Sequence, residues 1–569
     1  MRIALLQLGS RLADPEANGW AIEQAYAEAL NLGAQLVITP EMAVPGYLAE
    51  DRMWEPQLRR RIALESERLA RLAGSIPLVF GTCSPSPSGR LWNELRWAEN
   101  GVIRAVVRKR ILPVYDVFDE SRYFDADTGS QPPVAYLGEK VGLSICEDMW
   151  ADPELVAGSI RYAFDPIAEL AAQGATLVLN ASASPGSLGS YLPPGRVAPW
   201  AVPSKLAMRR RLLAGHAAKH RIPVGYACRV GSESWLTFDG GSGLAQPDGT
   251  WQTDKHFEEG VVMVDTAASG RPWPEEPTEG AYLRRALGMG LKENLAKQGL
   301  EAVVVGLSGG IDSAVVAAIA AENLDPKRVL GVALPTRYTS PESIALAEAQ
   351  AKASGIHFLK ADADAPFAGA EQSLKNLFPD RAFGLTDENI QSRARGMLLM
   401  ALTSEPHVHA MLGTSRVAVL NTGNKSEAAT GYFTLYGDGI GAFGILGDCL
   451  KARVFAVARE LGAIPRGVLE RKPTAELRPN QTDEASLMPY VQLDAILGAF
   501  LEARRPEEGL ADDLAHLLEG PALEQARASL PRILRLVKTS EFKRRQLPFA
   551  LKVSPWAFGW GRRIPLTAV

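Results

Sequence analysis

Cysteine is scarce in this chain: Cys83, Cys146, Cys228 and Cys449 are scattered over 569 residues, with no CxxC pair among them. That spacing excludes a zinc ribbon, gives no disulfide framework, and points to a reducing compartment. Long apolar runs are missing too, since nothing approaches the ~18 apolar residues that a bilayer-spanning helix needs. The run Ile3–Leu8 turns polar at Ser10. It is too short for a secretory signal core, so the chain is expected to be cytoplasmic and free of the membrane. Basic surplus is absent as well: 61 Lys and Arg face 65 Asp and Glu, a formal net charge of -4. This argues against general nucleic-acid binding. The local runs Arg59–Arg61 and Arg209–Arg211 are read as solvated helix faces. What is there is ordinary globular composition, 46% hydrophobic and 22% charged. At ~100–200 residues per domain, the length calls for roughly two to four domains.

The first half alternates short β-branched runs with longer helical stretches. Strands are expected at Ile3–Leu8, Leu36–Thr39, Leu78–Gly81, Val141–Ile145, Leu177–Asn180 and Val261–Val264. Helices are expected at Asn18–Leu32, Arg59–Ala73 and Lys205–Lys219. The stretch Ser269–Gly280, SGRPWPEEPTEG, fits neither period and reads as a linker, giving domains at 1–268 and 281–569. Beyond it the alternation is cleaner. Strands at Ala302–Leu307, Val329–Leu334 and Val417–Leu420 interleave with helices at Asp312–Glu322, Pro341–Ser354 and Lys451–Leu461. The fold class is α/β, and this half implies a parallel sheet covered on both faces. From about Leu501 the chain is charged and helical.

Cys146 stands where the strand Val141–Ile145 stops, followed by Glu147 and Asp148. A thiol there is a plausible nucleophile, given a base and a cation for the oxyanion; alone it reads equally as a small buried hydrophobe. Two more strand-end segments bear on the choice, TPE ending in Glu41 and KRILP beginning at Lys109. With CED at Cys146, they resemble the Glu–Lys–Cys triad of the nitrilase, or carbon–nitrogen hydrolase, superfamily. The later phrases NASASP and FDGGS extend the match over roughly residues 1–265. The resemblance implies an αββα sandwich that hydrolyses an amide. In it Cys146 attacks the carbon, Glu41 is general base and acid, Lys109 holds the oxyanion, and Glu120 orients the site. Tyr47, Tyr115 and Ser184 match residues that bind glutamine in such relatives. One position departs: the usual Lys or Arg six residues after that serine is Ser190, followed by YLPPGRVAPWAVPS. Either that stretch is a surface loop whose Arg196 is solvated, or Arg196 replaces the cation, with Lys205 or Arg209 next.

In the second half, the strand Ala302–Leu307 runs into Ser308-Gly309-Gly310-Ile311-Asp312-Ser313 and a helix. A glycine turn and a helix N-terminus present free N–H groups to an anion, and Asp312 can offer Mg²⁺ an oxygen. A bare glycine turn is also often structural. GxxxxGK[ST] is not present, so γ-phosphate transfer is not implied. SGGIDS resembles the PP-loop of ATP pyrophosphatases, which cleave ATP between α and β phosphates and adenylate a carboxyl or carbonyl group. TDENIQSRARGMLLMALTS, TGNKSEAATGYFTLYGD, PTAELRPNQTDE and FKRRQLP resemble NAD synthetase, and the whole chain resembles its glutamine-dependent form. That likeness implies ATP contacts along Gly306, Leu307, Ser308, Gly309, Gly310, Ile311, Asp312 and Ser313, and at Thr422, Lys451 and Thr474. It implies deamido-NAD contacts at Asn389, Glu427, Asp438 and Lys543, with Asp312 and Glu427 at Mg²⁺. Asp438 also matches a position that closes over the phosphates, as Lys451 and Thr474 do. A cytoplasmic homo-oligomer is implied. Two stretches depart from the pattern, HVHAMLGTSR before Val417 and GAFGILGDC from Gly441.

Gly439 to Gly444 satisfies GxGxxG but follows a turn-like TLYGD, so a Rossmann reading is rejected. His216 and His220 share a helix face, but residue 217 is Ala, not the Glu of HExxH. They are read as surface or packing histidines. The rivals are another glutamine-fed adenylating ligase, against which ENIQ, TGNKSE and KRRQ argue, and an inactive binding protein. The latter should have a broken triad or PP-loop, and all those residues are present.

Overall fold

In the computed structural model, the β-branched runs become strands and the amphipathic stretches helices, gathered into two compact units. All residues are described except 157–161, 254, 473, 475, 479–480, 482–483, 485–486, 560 and 568–569. One unit comprises Met1–Gly186, Lys205–Glu233 and Thr237–Glu276; the other comprises Ser187–Ser204, Ser234–Leu236 and Pro277–Val569.

The first unit is built on two six-stranded sheets. One runs in the order Gly260–Asp265, Arg2–Gln7, Leu36–Ile38, Leu78–Pro85, Leu91–Glu99, Val102–Arg108. The other runs Trp251–Gln252, Gly243–Ala245, Val224–Cys228, Leu177–Ser182, Glu139–Ile145, Val134–Tyr136. Their facing side chains, among them Leu5, Ile38, Val79, Trp97, Leu143, Ile145, Leu179 and Ala181, form one buried core. Helices Pro15–Asn31 and Pro56–Leu72 pack on the outside of the first sheet. Helices Pro166–Ala172 and Lys205–His220 cover the second, burying Ile167, Leu170, Leu212, Leu213 and Ala217 against Val178, Val224 and Tyr226. This is the expected αββα sandwich.

Both of the first two helices start three residues before the apolar pattern does, because proline opens them: Pro15 behind the Asp14 cap, and Pro56. The strand Leu91–Glu99 was not legible, since Glu94 and Arg96 interrupt its apolar pattern. Both charges are satisfied locally, Arg96 donating to Glu94 at 2.8 Å and Ser84 donating to Glu94 at 2.8 Å. The basic run at 209–211 is not wholly solvated either. Arg209 is buried and makes two 2.7 Å hydrogen bonds to Asp239, which repay its desolvation.

The second unit holds a five-stranded, all-parallel sheet in the order His357–Lys360, Val329–Ala333, Ala302–Gly306, Val417–Asn421, Phe443–Gly444. Ala302–Gly306 is central, so the chain leaving it emerges between strands running off in both directions, where ligand crevices form in such sheets. The sequence GxGxxG leads into the edge strand Phe443–Gly444 rather than from strand to helix, in line with the rejected Rossmann reading. HVHAMLGTSR forms most of a short helix, Pro406–Leu412, closed by Gly413 in the left-handed region. A separate helical core around Leu493, Ile496, Leu514, Leu530 and Ile533 also takes in Tyr191 and Ala198 from the proline-rich segment. That segment is fixed by backbone: Tyr191 N–H donates to Glu502 at 2.8 Å, and Ser190 N–H to the Val202 carbonyl at 2.8 Å.

Candidate active site

In the first unit, the strand Glu139–Ile145 ends directly at Cys146, which opens the tight turn Cys146–Trp150 with φ of +43°. A non-glycine residue in that region is strained by about 1–2 kcal/mol, and here the strain thrusts a side chain out of the sheet's end. The turn is over-determined. The Asp148 carboxylate accepts N–H bonds from Ile145 (3.0 Å), Arg110 (3.0 Å) and Ile111 (2.9 Å), tying the cysteine turn to the segment that carries Lys109. Asn180 donates to the Cys146 carbonyl at 3.4 Å.

Lys109, Glu41 and Glu120 meet in a fully enclosed cluster. The ammonium lies 2.7 Å from Glu41 Oε1 and 2.7 Å from Glu120 Oε1. Glu41 is held further by Asn93 Nδ2 at 2.8 Å and by the Ala183 N–H at 3.0 Å. Tyr47 donates to Glu120 at 2.6 Å. Burial alone would depress the Lys109 ammonium, but Glu120 and Glu41 outweigh it and hold the lysine well above its usual range. Burial pushes the Glu120 carboxyl up, against the pull of Lys109. Burial also pushes the Cys146 thiol well above its usual range; Glu41 adds to this and Lys109 opposes it. A protonated thiol facing a fixed carboxylate and a fixed cation can lose its proton to the one and present an oxyanion to the other.

Beside this cluster, Glu147 accepts from Tyr115 (3.0 Å to each oxygen) and Tyr162 (2.6 Å). Ser184 is buried just beyond the strand Leu177–Ser182. The expected replacement cation is not supported: Arg196 belongs to the second unit, where it pairs with Glu519 at 2.9 Å, and Arg209 is committed to Asp239. Ser190 likewise belongs to the second unit. Of the three, only Lys205 lies by the cysteine turn, its ammonium 4.2 Å from the centre of the Trp150 ring. Asn93 and Tyr162 gave no sequence signal as site residues, because only the fold brings them near residues 41 and 147; Asp148 lay in the CED motif, but its hold on residues 110 and 111 was not legible.

In the second unit, Gly306 ends the central strand, and Leu307, Ser308, Gly309 and Gly310 lead to the helix Ile311–Asn323. Gly309 has φ of +76°, and a Cβ there would lie 2.5 Å from the Ser343 carbonyl oxygen. Only glycine fits this approach. Ser313 donates to the Gly310 carbonyl at 3.1 Å, and Gly310 N–H donates to Ser308 Oγ at 3.2 Å, which closes the turn. The neighbouring strand Val417–Asn421 ends beside it, followed by Thr422 and Asn424. Asn424 Nδ2 donates to Asp312 at 3.1 Å, while its backbone N–H donates to Glu427 Oε2 at 3.2 Å. One asparagine therefore sits between two carboxylates. Lys451 donates to Asp312, and its own position is set by the Ser426 hydroxyl, which accepts its N–H at 3.0 Å. Beneath lies a buried charge network, Lys425 with Asp448 (2.8 Å) and Glu502 (2.9 Å).

Thr474 lies in a segment pinned to the helix Pro341–Ser354. There Arg471 contacts Ser343 at 2.6 Å and Glu476 at 2.7 Å, and Ser340 donates to Glu476 at 2.8 Å. Positions 473, 475, 479–480 and 482–483 of PTAELRPNQTDE lie outside the described residues. A second group gathers around 431–438: Thr434 donates to Asn389 at 2.8 Å, and its N–H to Asp438 at 2.8 Å. Lys543 donates to the Gly431 (2.9 Å) and Phe433 (2.8 Å) carbonyls of the same loop. Asn424 lay unremarked inside the motif TGNKSE, and Arg471 lay outside every motif. The second unit thus combines an anion-accepting turn, paired carboxylates and a lysine.

Comparison with known proteins agrees with both halves. The carbon-nitrogen hydrolase family matches residues 2–275, and the NAD synthase family matches residues 283–547. A glutamine-dependent NAD(+) synthetase of Synechocystis sp. is 36% identical, covering 99% of this chain and 98% of its own. The solved glutamine-dependent NAD+ synthetase of Acinetobacter baumannii, in complex with ADP, is 30% identical with a TM-score of 0.72 over 99% of this chain and 98% of that one. A structure from Cytophaga hutchinsonii at 19% identity, with a TM-score of 0.79 over 100% of this chain and 97% of its own, adds support for the fold. With that identity over the full length of both chains, this chain belongs to the glutamine-dependent NAD(+) synthetases.

Proposed function

We propose that this enzyme, a ligase, amidates deamido-NAD to NAD with ATP, using ammonia released from glutamine, and yields AMP, pyrophosphate and glutamate. The observation that carries it is the presence of both machineries intact in one chain: the enclosed Glu41–Lys109–Glu120 cluster at Cys146, and Asp312 with Lys451 at the Gly309 turn.

In the first half-reaction, Glu41 takes the proton of Cys146, whose sulfur attacks the glutamine amide carbon. Lys109 holds the oxyanion. The proton passes from Glu41 to the leaving ammonia, and water then frees glutamate from the thioester. Glu120 and Tyr47 fix Lys109, while Glu147, between Tyr115 and Tyr162, offers a carboxylate to the glutamine ammonium. Ser184 adds a hydroxyl at the same end. Lys205 is the cation we assign to the glutamine carboxylate.

In the second half-reaction, the nicotinate carboxylate displaces pyrophosphate from the ATP α-phosphorus, and ammonia then displaces AMP. The N–H groups of Gly309 and of Ile311 to Ser313 at the helix start hold the phosphates, the Leu307 N–H being taken by the Val332 carbonyl at 2.8 Å; Thr422 and Thr474 stand beside them and Lys451 neutralises charge. ADP in the Acinetobacter structure supports nucleotide binding in this fold. Asn389, Asp438 and Lys543, around one loop, bind deamido-NAD. The all-oxygen pair Asp312 and Glu427, both held by Asn424, fits Mg²⁺, which when bound screens the phosphate charge. Among the described residues no helix is long and apolar enough to cross a membrane, and all four cysteines are free and buried. A cytoplasmic location is part of the reading. Association into a homo-oligomer is part of the same reading, and light scattering measures it.

The deciding assay follows NAD and AMP from deamido-NAD and ATP, with glutamine or ammonium as donor. Cys146→Ala abolishes the glutamine-driven rate and spares the ammonium-driven one. A normal glutamine-driven rate in the folded variant would remove Cys146 as nucleophile.

A further inference from the structure

The two histidines read as surface or packing residues do pack, one against the other. His216 and His220 stack on the helix Lys205–His220, ring centres 5.9 Å apart and planes 13° from parallel. His216 is fully buried, and its Nε2 lies 2.7 Å from the Met149 carbonyl oxygen. A carbonyl only accepts, so Nε2 carries the hydrogen and Nδ1 carries the lone pair. That buried Nδ1 has no hydrogen-bond partner among the described residues, and neither has the buried Nε2 of His220. Two orphaned ring nitrogens side by side are costly to desolvate. Asp165 stands opposite, its Oδ1 capping the helix Pro166–Ala172 through the N–H groups of Ile167 (2.9 Å) and Ala168 (3.1 Å). One donor atom from each of Asp165, His216 and His220 lies within 4.8 Å of the other two.

We propose that Asp165, His216 and His220 form a binding site for a divalent zinc-class ion in the first unit. Two imidazoles and a carboxylate are a borderline donor set that suits zinc, with a further position left for water. Ligand bonds of ~2.0–2.2 Å require donors ~3.3 Å apart, so the three close in modestly around the ion. The His216–Met149 bond is the outer hydrogen bond that fixes the tautomer of a ligating histidine and aims its lone pair at the metal. The nearby Lys219 is engaged by Asp152 (2.7 Å) and Glu154 (2.8 Å). Met149 lies in the turn opened by Cys146, so the ion clamps two helices under that turn. It has no part in bond making.

The full chain carrying Cys146→Ala, which removes the competing thiol, is stripped with chelator and dialysed against Zn²⁺, and bound metal is measured by mass spectrometry. The expected result is one Zn²⁺ per chain that is lost in His220→Gln and in Asp165→Asn, with affinity at least ~100-fold weaker. Co²⁺ should give visible absorption bands that the same variants abolish. Circular-dichroism spectra and thermal transitions of the metal-free chains, the same in parent and variants, show that the first unit folds. Zinc held elsewhere is common to parent and variants and cancels in the comparison. Binding that is absent in the parent, or equal in parent and variants, overturns the site and leaves a water between the histidines.

Discussion

Lys109→Met separates the electrostatic role of the lysine from its packing, since methionine keeps most of the length, one atom short, and drops the charge. In the structure one ammonium stands 2.7 Å from each of two enclosed carboxylates. Removing one partner of a buried ion pair costs about 3–5 kcal/mol when the remaining charge stays. Here Glu120, whose carboxyl burial already pushes up, relieves part of that cost by taking up a proton, at ~1.4 kcal/mol per pKa unit. Glu41 keeps its Asn93 and Ala183 donors but loses the cation that helps to position it. Loss of a single oxyanion donor alone removes ~10²–10³ in rate, or ~2.7–4 kcal/mol. Loss of a positioned base removes ~10²–10⁴, and since the two serve one step they overlap rather than multiply. The expected outcome is a fall of at least ~10³-fold in glutamine-driven NAD formation and in glutamate release. The ammonium-driven rate stays near its parental value. A glutamine-driven rate within about tenfold of the parent would refute the electrostatic argument, because that corresponds to only ~1.4 kcal/mol. An equal fall of both rates would assign Lys109 to the fold instead.

Asp312→Ala should lose NAD formation with either nitrogen donor by at least ~100-fold while glutamate release persists, and ammonium-driven activity near the parental rate would dismiss the role. Gly309→Ala places a Cβ against the Ser343 carbonyl in a left-handed conformation, a strain of ~1–2 kcal/mol. It should raise the ATP KM with both donors, and an unchanged KM counts against the phosphate-holding turn. The raised Cys146 thiol is protonated near neutral pH, so iodoacetamide labelling without glutamine should be slower than that of free cysteine and should climb with pH. Labelling that is fast and flat across about pH 6–8 would mean the cation outweighs burial after all.

The sequence by itself determined the parallel sheet of the second half, because Ala302–Gly306 is a continuous apolar run in a strand–helix alternation, while the αββα sandwich followed from the likeness of its motifs to the nitrilase superfamily. Cys146, Lys109 and Glu41 were legible through the likeness of three short motifs to the Glu–Lys–Cys triad, and the turn at Gly309 through a strand, a glycine pair and a helix start in SGGIDS. Strands such as Leu91–Glu99 were hidden by the charges of Glu94 and Arg96, which pair with each other while Ser84 of the neighbouring strand donates to Glu94. Tertiary structure alone decided that Asp148 holds residues 110 and 111, that Asn93 holds Glu41, and that Asn424 bridges Asp312 and Glu427. It placed the proline-rich segment with the second unit, where Arg196 meets Glu519, and it set His216 and His220 beside Asp165. The physical reason is common to all of these. A hydrogen bond or ion pair between residues tens or hundreds of positions apart leaves no periodicity in the chain, and its partners are chosen only when packed elements bring them within about 3 Å.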